Sequence, residues 1–154
     1  MITLEISDGY QSQVEADLIE KTAQKTLAHQ NAPQASEMTI VITTDEQLHS
    51  LNRQFLDIDA PTDVLSFPAD FTNPDNEAPY LGDVLISFPR AAYQASVSGH
   101  AVIAEIQLLV VHGVLHLLGH DHAESSEKAK MWSAQGEIIQ HLGLGKMKIP
   151  ESDN

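Results

Sequence analysis

Two histidines set four residues apart near the end of a long apolar run constrain this chain more than any other feature. The run, AVIAEIQLLVVHGVLHLL over residues 101–118, approaches the length of a membrane span but carries Glu105, Gln107, His112 and His116. An ionisable group at a bilayer centre costs about 2.5–3.5 kcal/mol, so a buried core helix is expected and a membrane span is not. On a helix, His112 and His116 project from one face a turn apart. A lone buried histidine would be read as an ordinary core residue. Two unpartnered imidazoles on an apolar face cost free energy, and one metal ion satisfies both.

Residues 112–122 read H-G-V-L-H-L-L-G-H-D-H. Gly119 can take a positive φ, end the helix and reverse the chain, which makes His122 the natural third ligand. The chain has no cysteine, so a metal must be held by nitrogen or carboxylate oxygen, and disulfides are excluded. Three imidazoles leave a tetrahedral zinc ion one open position, as in catalytic rather than structural sites. The spacing H-x-x-x-H-x-x-G-x-x-H is that of metzincin peptidases, which place a glutamate general base directly after the first histidine. Gly113 stands there, so peptide hydrolysis lacks its proton acceptor.

With 154 residues and 42% hydrophobic content, the chain can build one packed core but not two ordinary domains. The start, MITLEISDGY, lacks the basic and apolar regions of a signal peptide, and a cytoplasmic domain is expected. Strands are expected at 2–6, 38–43, 63–67 and 81–88. Helices are expected from Val14 to about Asn31, after the Thr44/Gln47 cap through Phe55, over about 90–98 behind Pro89, over the apolar run, and over 124–142. Residues 68–79 are expected as a polar loop. Together these make one α+β domain over 1–145, with about four strands in a mixed sheet, about five helices and a zincin-like metal-bearing helix; 146–154 are expected as a flexible tail. Acidic residues outnumber basic ones by 22 to 8, for a formal charge of −14. This argues against a broad basic surface for nucleic-acid backbones, and DNA binding is not expected.

The histidine segment resembles the signature of the YbeY family of bacterial endoribonucleases. The resemblance is reinforced by P-T-D-V-L-S-F-P at 61–68, by Leu51-Asn52 and by L-G-D-V-L-I-S at 81–87, and so spans most of the chain. It implies a zinc-dependent, single-strand-specific endoribonuclease that matures the 3′ end of 16S ribosomal RNA and serves ribosome quality control. The partners it implies are the small ribosomal subunit and a ribosomal protein, which would supply by linked contacts the affinity that so few cations cannot.

Two departures accompany this resemblance. The family usually has an arginine where Leu56 stands, which removes a planar phosphate donor; Arg53, one helical turn earlier, is a candidate substrate contact. It typically has a tyrosine where His120 stands, here expected at the rim of the site rather than as a base-stacking group or competing ligand. Thr62 and Ser66 are further candidate substrate contacts, although Ser66 can equally satisfy local backbone groups. Asp121 is open between orienting an imidazole, moving a proton and serving as a solvated turn residue. Direct attack by water and attack by the RNA 2′-hydroxyl both remain open, as does the choice between zinc and nickel. The rival readings are a non-catalytic, zinc-stabilised ribosome assembly factor and a zincin-type metallopeptidase.

Overall fold

Strand alternation sorts the side chains of the sheet onto two faces, and each face has its own cover. In the computed structural model, which describes residues 1–145, β1 (Ile2–Ile6) and β2 (Glu37–Thr43) pair in parallel, with α1 (Ala16–His29) crossing between them. A short 3-10 helix over Asp8–Gln13 leads into α1; hydrophobic periodicity gave no sign of it. Then follow α2 (Asp45–Leu56), β3 (Val64–Thr72), β4 (Pro79–Ser87), α3 (Phe88–Ser98), α4 (Val102–Leu117) and α5 (Ser125–His141). The sheet order is β1-β2-β4-β3, with β2 parallel to β4 and β3 antiparallel at the edge. The expected α+β domain is therefore present, with five α-helices around a mixed four-stranded sheet among the described residues.

On one face, Met38, Ile40, Ile42, Val84 and Ile86 pack against Ile19 and Ala23 of α1 and against Ile106, Val110 and Val114 of α4. On the other, α2 covers Leu65 and Leu85 with Leu48. The opposite side of α4 is closed by Met131, Ala134, Ile138 and Ile139 of α5, against Leu108, Val111 and Leu115. A helix enclosed on both sides needs no polar face, which explains its near-continuous apolar sequence. Among the described residues no single helix is long and apolar enough to cross a membrane.

Local signals set the boundaries. Thr44 caps α2 by accepting the Gln47 N–H at 3.1 Å, and Pro89 sits in the first turn of α3. One expectation fails: residues 68–72 are strand, not loop, and only 73–78 separate β3 from β4. Pro68 is tolerated because β3 is an edge strand and its register shifts between Pro68 and Phe71. Phe55, expected on the apolar stripe of α2, is 60% exposed. The expected tail over 146–154 lies outside the described residues.

Candidate metal centre

Helix α4 ends in a Schellman turn that aims the chain back at its own last turn. The Gly119 N–H donates to the His116 carbonyl and the His120 N–H to that of Leu115, each at 3.0 Å. Gly119 has φ +98°, and no atom lies within 4 Å of a Cβ built there; backbone conformation, not crowding, calls for glycine. The return brings His122 beside His112 and His116, with ring centroids 4.8, 5.1 and 5.8 Å apart. One ligand nitrogen from each lies within 4.8 Å of the others.

The state of these rings suits a metal. His112 is buried, and its Nδ1 lies 2.9 Å from Gln135 Oε1. A carboxamide oxygen only accepts, so the proton sits on Nδ1 and the Nε2 lone pair is the one offered for ligation. Burial first, then neighbouring His112 and His122, push the pKa of His116 down to about 4. A neutral imidazole at physiological pH is the form that binds metal. His122 Nε2 is buried and has no hydrogen-bond partner, and ligation of a metal ion would satisfy it. Three imidazole nitrogens with no thiolate fit a borderline transition ion such as zinc.

Trp132 of α5 closes one side, with its ring 5.8 Å from both His112 and His122 in edge-on contact. Lys128 Nζ lies 5.6 Å from the centre of that ring. On the other side, His112 and His116 open onto a cleft of about 440 Å³ between the C-terminal end of α2 and strand β3.

The other anticipated residues divide around this cleft. Thr62 and Ser66 line it. Thr62 is buried, with its hydroxyl 3.4 Å from Asp63 Oδ1, and Ser66 donates to the Gly113 carbonyl at 3.0 Å. Arg53 is exposed on α2 and is not among the lining residues, whereas Leu56 is. Asp121 is exposed and accepts the backbone N–H of His122 at 2.7 Å; its charge also reaches His116, opposing the downward shift. His120 lies outside the three-histidine group, its Nε2 2.7 Å from Gln30 Oε1. Gly113 faces the sheet, where an added Cβ would meet Val84 Cγ1 at 2.5 Å. A glutamate has no room at that position.

The family model described as Endoribonuclease YbeY matches residues 4–143. The chain belongs to the YbeY family. A Dehalococcoides mccartyi relative named Endoribonuclease YbeY is 40% identical over 153 residues, covering 92% of each chain. One of the same name from Chloroflexus aurantiacus is 43% identical over 149 residues, covering 93% of this chain and 96% of the relative. The solution structure of a Thermotoga maritima protein shares the fold with a TM-score of 0.59 at 22% identity, covering 99% of both chains.

Sequence reasoning about the YbeY motif did not single out Gln135 or Trp132. Gln135 carried a usable signal: a carboxamide one turn from Met131 and Ile138 on a buried face needs a polar partner. Trp132 carried none, because an indole at that spacing reads as ordinary core.

Proposed function

We propose that this chain is a metal-dependent endoribonuclease that cuts single-stranded ribosomal RNA, with zinc held by His112, His116 and His122. The observation that carries this reading is the buried, unpartnered Nε2 of His122 beside the imidazoles of His112 and His116, which open onto a cleft. The relatives named as endoribonucleases supply the reaction class. When bound, a zinc ion supplies Lewis-acid chemistry, polarising a phosphoryl oxygen and stabilising charge that develops during cleavage.

The protein's own groups do the rest. Gln135 fixes the His112 ring and its tautomer, and Trp132 packs against His112 and His122. Thr62 and Ser66 line the path by which a strand reaches the histidines. Asp121 holds the turn that presents His122 and adds negative potential at His116. Peptide hydrolysis is disfavoured, because Gly113 is closed to any side chain that would take a proton.

The finer assignment rests on the family resemblance, with charge in support. The YbeY resemblance points to the 3′ end of 16S rRNA within the small subunit as the site of action, and a charge of −14, which attracts isolated RNA poorly, is consistent with a substrate presented in an assembly. There a ribosomal protein contributes linked contacts, and the work serves maturation and quality control in the cytoplasm. One observation favours the assembly-factor alternative: among the described residues no lysine or arginine lines the cleft. The two readings separate in an assay of 3′-extended 16S fragments, single-stranded and duplex, with zinc-loaded protein, chelator-treated protein and His116→Ala. Cleavage restricted to single strands and lost in the latter two supports the nuclease. Zinc-loaded protein that binds small subunits without cutting supports the assembly factor.

A further inference from the structure

Two large aliphatic side chains at the cleft mouth have no structural reason to be there. Leu56 and Ile58 are each 50% exposed, yet both line the cleft that opens onto His112 and His116. They flank Asp57, whose φ of +58° ends α2. The Ile58 N–H donates to the Asn52 carbonyl at 3.2 Å, and the buried Asn52 side chain donates to the Ala60 carbonyl at 2.9 Å. The backbone of the turn carrying the two side chains is thus pinned at both ends, which lowers the entropy lost when a ligand docks against them. From β3, Val64, Leu65 and Pro68 form the facing wall.

The polar lining is already committed. The Asn52 amide, the Thr62 hydroxyl and the Ser66 hydroxyl all donate within the protein. Among the described residues no lysine or arginine is in the lining, and the net charge is −14, so a phosphate placed against Leu56 and Ile58, rather than at the ion held by the histidines, would meet no cationic side chain. The nucleobase is the neutral, flat, apolar-faced part of a nucleotide. Unpaired bases are held between aromatic or apolar side chains wherever a protein takes them out of the stack. A volume of about 440 Å³ also falls in the range of small-ligand sites, about 300–1,000 Å³.

Resting on the endoribonuclease reading, we propose that Leu56 and Ile58 form one wall of a nucleobase subsite that holds an unstacked base of the RNA strand beside the histidines, with the phosphates outside it. The subsite makes single-strandedness a requirement, because a paired base cannot enter. It also moves recognition at this point from phosphate charge to base contact.

The test is a scan in which an abasic ribose replaces, one position at a time, the nucleotides flanking the cut in a single-stranded RNA oligonucleotide. The zinc-loaded full chain is compared with Leu56→Ser and with Leu56→Ser/Ile58→Ser, whose half-exposed positions leave the fold intact by thermal unfolding. One abasic position next to the cut lowers kcat/KM about five-fold or more in the native protein. That penalty shrinks in the single variant and disappears in the double variant. In Leu56→Arg, log kcat/KM falls more steeply with log salt, by about one unit of slope. Equal kcat/KM at every abasic position, or a penalty unchanged in the double variant, overturns the subsite and leaves the nuclease reading standing. Absence of cleavage of any oligonucleotide overturns that reading and the subsite with it.

Discussion

Gln135 Oε1 faces His112 Nδ1 at 2.9 Å across the contact between α4 and α5. This bond couples the most buried of the three histidines to a helix that contributes no ligand of its own. Gln135→Leu keeps the volume but leaves a buried Nδ1–H without an acceptor, at about 1–3 kcal/mol of stability. Metal affinity should fall about 10- to 100-fold, measured by competition with a chromogenic chelator, while Gln135→Glu, which keeps an acceptor, should retain it.

Gly113 tests why this helix is not that of a peptidase. Alanine has the better helix propensity by about 1 kcal/mol, but its methyl would meet Val84 Cγ1 at 2.5 Å. Val84 is fully buried and β-branched, so it has little freedom to give way. Overpacking should win: Gly113→Ala is expected to lose about 1–3 kcal/mol in urea unfolding. A gain in stability would show that α4 lies less tightly on the sheet.

The pKa of His116 predicts how the metal-free protein responds to acid. Its folded value, about 4, lies below the ordinary 6.5 because burial opposes the charged form. Between these values the unfolded chain binds more protons than the folded one, so stability falls as pH drops from about 6.5 toward 4. The loss should be smaller in His116→Gln, measured by denaturation of the two metal-free proteins at pH 7, 5.5 and 4.5.

Much of this molecule was legible in its sequence. The histidine spacing, Gly119 and the absence of cysteine pointed to one three-nitrogen site, because helix periodicity and a glycine turn are local rules. The Thr44 cap, Pro89 and the apolar run placed three helices for the same reason. What escaped depended on distant partners. Pro68 to Thr72 became strand because β4 was available to pair with an edge, and Gln135 matters only because α5 packs where His112 can reach it. Phe55 showed the reverse: a helical spacing that predicted burial, at a position where the edge-on contact with Phe67 leaves the ring 60% exposed.

His120 separates a rim residue from a ligand. It bonds Gln30 and stands outside the three-histidine group, so His120→Tyr should leave metal stoichiometry unchanged. Loss of bound metal in that variant, by mass spectrometry of the native protein, would place His120 in the ligand set.

The most direct test of the central claim combines metal content and cleavage of single-stranded RNA in the same samples of native protein and His116→Ala. The account predicts one zinc ion per chain with cleavage in the native protein, and loss of both in a variant that stays folded. Native protein that cuts RNA equally well without metal, or His116→Ala that keeps full activity, would contradict it.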